Sequence, residues 1–377
     1  MQGTMRAARI HRVGEPVRVE EVTIPDVAAG EVLVRVLRGG LNRGDVHMRD
    51  GDFSLDPGEQ SNQLPILPMT IGHDGIGEVV EVGAGVRGVA VGDRVIAKCI
   101  LTCGYCKYCR SAREHLCIHH RVMGFFTLAT AWGSEEEDIF RRYKDGLWAD
   151  YCRLPATNVE RLEPTDDVDK FSLVSQIAVG YRALKRARFG VGETVVINGA
   201  SGITGTGAVL AALAQGAAQV IAVAREPTRL ARLARIAPER IATVSAATES
   251  IRDRVADLTR GNGANVLVDL TPSGVETTVE CIHALEPGGR VALIGGNTEL
   301  LQIGYRYLMI RSIEITSSTG RFYADYPELM ELTRRGVIDV SHVRPQFFGL
   351  KQINEALDSM VVRGEGDVPV WPMLRQE

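Results

Sequence analysis

Cys103, Cys106, Cys109 and Cys117 stand in a C-x2-C-x2-C-x7-C arrangement. Four soft thiolates so closely spaced can close a tetrahedron around a zinc ion and leave no coordination position open to a substrate. The pattern therefore predicts one structural zinc per chain, folding a lobe of about residues 98–122 and taking no part in the chemistry. A disulfide pair is the competing reading; it suits a secreted chain better than one with no visible secretory leader. Lys98, Lys107, Arg110 and Arg113 surround the thiolates and offset their charge. Cys99, Cys152 and Cys281 are scattered and read as isolated thiols.

A second chemistry-bearing segment is Val195-Val196-Ile197-Asn198-Gly199-Ala200-Ser201-Gly202-Ile203-Thr204-Gly205. It reads as a buried strand, a glycine-rich turn and a helix start. Small residues let the backbone approach a pyrophosphate, and the helix N-terminus supplies amide donors and a favourable dipole. Alone, Ala200-x-Gly202-x-x-Gly205 is a weak signal; its place between a β-branched strand and an Ala-rich helix makes it a dinucleotide cradle. The next strand ends Val223-Ala224-Arg225-Glu226, with Arg229 one helical turn on. A carboxylate at the strand end suits the ribose 2′-hydroxyl of NAD, and a cation suits the 2′-phosphate of NADP. Charge complementarity thus favours NADP(H) over NAD(H), although Glu226 supplies an acid slightly late.

These groups need a scaffold, and 377 residues are enough for two domains. Hydrophobic residues make up 45% and charged residues 24%, an ordinary globular balance. A net charge of −4 and a pI near 6.1 argue against a nucleic-acid surface. No apolar run approaches the roughly eighteen residues of a membrane span, and the expectation is a cytoplasmic protein. Up to about Ile96 the pattern is β-like, with strands at Val17–Val22, Glu31–Leu37, Gly77–Val82 and Asp93–Ala97. Glu135-Glu136-Glu137-Asp138 reads as an exposed loop. From about Val168 strands and helices alternate: strands at Thr194–Asn198, Gln219–Val223, Asn265–Leu270 and Arg290–Ile294, helices at Gly205–Gln215, Thr228–Ile236 and Val275–Leu285. Such alternation implies a doubly wound parallel sheet, hence the α/β class. Asp325–Arg335 and Leu350–Val361 read as closing helices.

The cysteine lobe, Gly72-His73-Asp74-Gly75-Ile76-Gly77, Val91-Gly92-Asp93-Arg94-Val95 and Pro287-Gly288-Gly289-Arg290-Val291 together resemble the zinc-containing medium-chain dehydrogenase/reductase superfamily, the alcohol dehydrogenase relatives. The resemblance covers essentially the whole chain. It implies a GroES-like β-rich catalytic domain over residues 1–174, completed by 322–377, and a Rossmann domain over 175–321. It further implies a small-molecule substrate in the cleft between them. A homodimer or homotetramer follows, with Ile313-Glu314-Ile315-Thr316 as the candidate sheet edge. Thr271 and Gly295, at later strand ends, should border the nicotinamide, as should Ser317-Ser318-Thr319, and Arg43 could meet the cofactor pyrophosphate.

One departure from the family matters for mechanism. Zinc-catalysing members hold the reactive metal with a Cys, the His of a GHE element, and a third Cys, Asp or Glu. His73 is kept, but Asn42 in Gly40-Leu41-Asn42-Arg43-Gly44-Asp45 stands where the Cys belongs, and Ser175 falls at the third position. The resemblance, shifted toward zinc-free quinone and enoyl reductases, therefore implies loss of the catalytic zinc. Without a Lewis acid, reduction of an activated C=C is easier than alcohol oxidation, because donors such as Asn42, Arg43 and His47 can hold an enolate oxygen. His47 or Tyr181 is a candidate proton donor, beside His73 and Asp74. Two alternatives stay open. Asp45, His47, His73 and Asp74 could form a rearranged oxygen/nitrogen metal site serving an alcohol dehydrogenase, or the chain could bind NADPH as a non-catalytic sensor. The segments Asp52–Leu67 and Phe125–Tyr143 look long for the family and flank the expected cleft, and Val368-Pro369-Val370 replaces a Gly-Arg pair that helps hold cofactor phosphates in many relatives.

Overall fold

The computed structural model describes residues 1–51, 67–98, 100–125, 142–318, 323–361 and 370–376. The acidic run 135–138, nearly all of the two long segments, Cys99, Thr319 and the pair Val368-Pro369 lie outside the described residues.

The N-terminal half is built around β3 (Glu31–Gly40), whose valines at 32, 34 and 36 are buried. It pairs antiparallel with β5 (Asp74–Val82) along one side and with β9 (Tyr151–Pro155) on the other. Beyond β5 come β6 (Arg94–Lys98) and β10 (Val159–Arg161), while the short β7 (Ile100–Leu101) and β8 (Arg121–Val122) pair with each other. The chain returns at its end: β18 (Val370–Arg375) pairs with the last residues of β3, and β17 (Arg344–Phe348) lies beside β18. A smaller sheet of β1 (Thr4–Ile10), β2 (Arg18–Thr23) and β4 (Met69–Thr70) packs alongside.

The second half is a six-stranded parallel sheet of β11 (Thr194–Asn198), β12 (Gln219–Ala224), β13 (Ile241–Ser245), β14 (Ala264–Asp269), β15 (Leu285–Leu293) and β16 (Glu314–Ser317). Its spatial order is β13-β12-β11-β14-β15-β16. Counted from β11 this is 3-2-1-4-5-6, the dinucleotide-binding order with its switch point beside β11. The expected alternation is present, and β16 is the edge strand. In this half three elements are not legible in the sequence: β13, the helix Ile251–Leu258 and the helix Tyr305–Arg311. The first is short and rich in Ala, Thr and Ser, and the last mixes Arg and Tyr with its aliphatics, so neither shows a clean period.

Two helices bring the halves together at the site. Helix α1 (Arg43–Asp50) leaves the end of β3 and buries Asp45, Val46 and Met48. Helix α2 (Val174–Arg186) buries Val174, Ile177, Ala178, Tyr181 and Leu184 in a core shared by Ile76 and Ile96 of one sheet and Val195 and Ile197 of the other. It lies close on helix α3 (Ile203–Ala214), which starts at the glycine-rich turn. A Cβ on Gly180 would stand 2.4 Å from the Ala208 Cα, and one on Gly207 would stand 2.8 Å from the Gln176 carbonyl oxygen.

Gly72, just ahead of His73, has φ +100 and lies against the indole of Trp148; a Cβ there would sit 2.2 Å from Trp148 Cδ1. Trp148 is fully buried and donates its Nε1–H to the Gly40 carbonyl at 3.3 Å. Gly72→Ala should therefore destabilise the fold by about 2–5 kcal/mol, combining left-handed strain with overpacking. Urea denaturation measures it, and an unchanged midpoint would refute the constraint.

Candidate active site

The site is assembled where β3 ends and α1 begins. Asn42 is the N-cap of α1, in extended conformation, and its Oδ1 accepts the Gly44 N–H at 2.8 Å. In return the Asn42 backbone N–H donates to Asp45 Oδ2 at 2.8 Å, a reciprocal capping box. Because Oδ1 must face a backbone donor, the orientation of the amide is fixed and Nδ2 faces His73 Nε2 at 2.8 Å. An amide nitrogen can only donate, so His73 Nε2 accepts and the imidazole proton sits on Nδ1. Nδ1 lies 3.0 Å from Asp45 Oδ1 and donates to it. Asn42, His73 and Asp45 thus form a closed ring of hydrogen bonds, with Asp45 fully buried. The Phe125 ring lies over the imidazole, centroids 4.4 Å apart.

Asp74 is also buried, its Oδ2 3.9 Å from His73 Nε2 and accepting the Gln176 Nε2–H at 2.9 Å. Gln176, rather than Ser175, is the α2 residue that reaches this cluster. The Ser175 hydroxyl instead meets the Tyr326 hydroxyl at 3.2 Å. Tyr181 is a correction to the sequence expectation. It is buried in the shared core, where burial and a hydrogen bond to Glu328 raise its phenol pKa well above the usual value, and the structure does not bring it to His73. His47 is half-buried on α1, about 200° around the helix from Asp45 and outside the ring. Arg43, the first residue of the helix, is exposed.

This arrangement tests two metal sites. At His73 the nitrogen that a catalytic zinc would use already accepts an amide hydrogen, and no thiolate or carboxylate stands at 42 or 175. Among the described residues, the four cysteines are the one group of three or more His, Cys, Asp or Glu ligand atoms gathered as for a metal. The rearranged set of Asp45, His47, His73 and Asp74 is therefore not assembled.

The four Sγ atoms of the lobe lie within 4.8 Å of one another, with separations of 3.6, 3.6 and 4.0 Å among neighbours. A tetrahedron with Zn–S bonds of about 2.3 Å has S–S edges of roughly 3.8 Å. Cys117 and Cys109 are raised chiefly by burial, whereas at Cys106 hydrogen bonds from Cys109 outweigh burial and bring the thiol down to about 6. The cage cannot be fully anionic without a cation inside it, and the donor set fits zinc.

The nucleotide cradle is equally well formed. Gly199 turns at φ +80 after β11. Gly202 is the exposed N-cap of α3, where a Cβ would meet nothing closer than 3.6 Å, so the backbone is open to a phosphate. Ser201, Ile203 and Thr204 are half-buried around it, and a Cβ on Gly205 would stand 2.1 Å from the Gly199 carbonyl oxygen, which makes that glycine obligatory. Arg225 is exposed just beyond β12, and Arg229 is half-buried on the helix Pro227–Ala234. Thr271 and Gly295 meet at the ends of β14 and β15: a Cβ on Gly295 would lie 2.2 Å from the Thr271 carbonyl oxygen. Thr271, Thr278 and Asn198 all donate to the buried Asp269, whose pKa is raised by burial.

Residues 28–164 match the alcohol dehydrogenase GroES-like domain, and residues 204–335 match the zinc-binding dehydrogenase domain. The chain belongs to the zinc-containing medium-chain dehydrogenase/reductase superfamily. It is an NAD(P)-dependent oxidoreductase acting on small molecules. It is 29% identical over 356 residues to an L-threonine 3-dehydrogenase of Paraburkholderia phytofirmans, spanning 92% of this chain and 93% of that protein. A solved NAD-dependent alcohol dehydrogenase is 25% identical with a TM-score of 0.81, covering 99% of this chain and 100% of that one. A zinc-binding dehydrogenase from Sinorhizobium meliloti 1021, solved with NADP, has the same fold at 23% identity and a TM-score of 0.80, each chain covered fully. Among the described residues, no helix is long and apolar enough to cross a membrane.

Asp45 and Gln176 are the site residues that motif reasoning underweighted. Asn42-x-x-Asp45 carries the spacing of a capping box, which was the available signal for Asp45. For the cysteine cage, Cys106→Ser should lower zinc content from about one per chain to near zero and reduce thermal stability. Atomic absorption beside a melting curve checks this; retained zinc would remove the assignment.

Proposed function

We propose that this oxidoreductase is an NADP(H)-dependent reductase with one structural zinc per chain and no catalytic zinc, reducing an activated C=C bond (an enone, enoyl compound or quinone) or a carbonyl. The observation that carries this is the 2.8 Å contact between Asn42 Nδ2 and His73 Nε2, with the amide pinned by Gly44. The family's metal would need that lone pair and two further ligands. On the reading proposed, the turn at Gly199, Gly202 and Gly205 would hold NADPH, which would supply hydride to the β-carbon of an enone, the electron pair of the C=C passing to the carbonyl oxygen. Hydrogen-bond donors hold the resulting enolate, and a proton from solvent or a cleft donor then adds to the α-carbon. Zinc-free alcohol oxidation is disfavoured because nothing lowers the hydroxyl pKa before hydride leaves.

NADP(H) is preferred over NAD(H) because Arg225 follows the second strand where a carboxylate would serve NAD. Residues 1–174 with 322–377 form the catalytic unit and 175–321 the nucleotide unit in this proposal. A homodimer or homotetramer in the cytoplasm belongs to the proposal; the oligomer is supported by the exposed Tyr305, Met309 and Ile310 beside the edge strand β16 and Ile315 on it. The names of the relatives favour a second reading, a dehydrogenase acting on a hydroxyl-bearing substrate, which would need the rearranged metal site.

A cofactor-consumption screen over enones, quinones, aldehydes and ketones, run with zinc quantification, separates the two. The proposal expects about one zinc per chain and turnover with NADPH. Two zincs per chain, with alcohol oxidation abolished by chelator, would favour the second reading. Arg225→Ala should raise KM for NADPH about tenfold or more and leave NADH little changed; equal effects on both would count against the NADP(H) preference.

A further inference from the structure

We propose that Asp45 and His73 are positioning residues that aim a single amide hydrogen of Asn42 at the oxygen of the substrate. The inference rests on the metal-free reading above and assigns the ring a task within it. Asn42 Nδ2 carries two hydrogens, and His73 takes one. Among the described residues, no side chain or carbonyl accepts the other. The amide plane is held at both ends, by the Gly44 N–H at Oδ1 and by His73 at Nδ2. The remaining hydrogen therefore has one direction rather than a choice of rotamers.

Burial shows which corner of the ring is open. Asp45 is 0% exposed and His73 7%, whereas Asn42 is only half-buried. Phe125 covers a face of the imidazole, in space that Gly44 leaves free: a Cβ there would stand 2.6 Å from Phe125 Cζ. Both imidazole nitrogens are occupied, one donating to Asp45 and one accepting from Asn42. His73 therefore has no proton to give without breaking the ring, and its part is that of a fixed acceptor. Asp45 completes the hold through two contacts, to the Asn42 backbone N–H and to His73. The group so presented suits a carbonyl or enolate oxygen.

The test compares wild type, Asp45→Asn, His73→Ala and His73→Gln in the full-length enzyme. Turnover of 2-cyclohexen-1-one and of menadione is followed with NADPH, and NADPH affinity by fluorescence. Asp45→Asn keeps the size of the side chain but offers one acceptor oxygen to two donors. It and His73→Ala should lower kcat about 100-fold with the NADPH Kd unchanged, the scale of losing one oriented oxyanion donor. Gln at position 73 can still accept from Asn42 through its Oε1, so His73→Gln should recover kcat to within about tenfold of wild type. A metal ligand or a proton carrier would not be replaced in this way. His73→Gln as inactive as His73→Ala, or Asp45→Asn with wild-type kcat, would overturn the inference and leave the reductase proposal standing. Wild type that reduces neither compound would sink that proposal, and this inference with it. If Asp45→Asn does not fold, as judged by circular dichroism, the two His73 variants decide.

Discussion

The chemistry of this cleft turns on one lone pair, that of His73 Nε2. A hydrogen bond from an amide is worth about 0.5–1.5 kcal/mol net, whereas a fully liganded structural zinc contributes on the order of 10 kcal/mol or more. Asn42 would not displace a zinc held by three good ligands. In the proposed reading it is the shortage of donors that disfavours the metal: an amide at 42, a hydroxyl at 175 turned toward Tyr326, and a lone imidazole between them. Once the other ligands are gone, a buried imidazole with an empty acceptor would itself be costly, and Asn42 removes that cost. On the proposed reading the ring follows from the shortage of ligands and is not its cause.

The surrounding fold serves that ring. Gly72 in a left-handed conformation and the indole of Trp148 fix the approach of His73, while Gly39 and Gly40 leave room for Trp148 and Asp74. Helix α2 links the same cluster to the cofactor side. Its Gln176 side chain holds Asp74, and its backbone carbonyl lies against Gly207 of the helix that opens at the phosphate cradle. A change in spacing at the Gly180–Ala208 and Gly207–Gln176 contacts would alter both the cradle and the cleft. The two halves of the site thus rest on the same helix.

Legibility in the sequence followed how the residues are distributed along the chain. The cysteine cage and the glycine-rich turn are each contiguous, so spacing alone carries their geometry, and the parallel sheet announced itself through alternating β-branched and Ala-rich runs. The His73 site draws on three separated pieces: the β3–α1 junction, the start of β5 and the start of α2. Motif spacing singles out Asn42, His73 and Ser175 along the chain but does not supply the orientation of their side chains. That is why Gln176 was missed and Tyr181, five residues on and about 140° around the same helix, was overvalued. Helix α1 escaped notice because its buried face includes Asp45, an inward charge that spoils apolar periodicity.

The same contrast shows how the two proposed features, a structural zinc lobe and a metal-free cleft, fit in one chain. The cage draws all four ligands from a single short loop, so its stability depends on local geometry and is insensitive to changes at 42 or 175. A catalytic ligand set at His73 would need three elements to meet at one point; on the proposed reading Asn42 and Ser175 fail to supply it while leaving the backbone undisturbed, because Asn is a good N-cap and Ser is at home in a buried helix turn with a hydroxyl partner. Each replacement is satisfied where it stands: Asn42 by Gly44 and His73, Ser175 by Tyr326. The cluster is not satisfied throughout, since Gln176 Oε1 is buried beside Asp74 without a hydrogen-bond partner among the described residues. The imidazole itself is paired at both nitrogens, which is the signature of a site organised around hydrogen bonds.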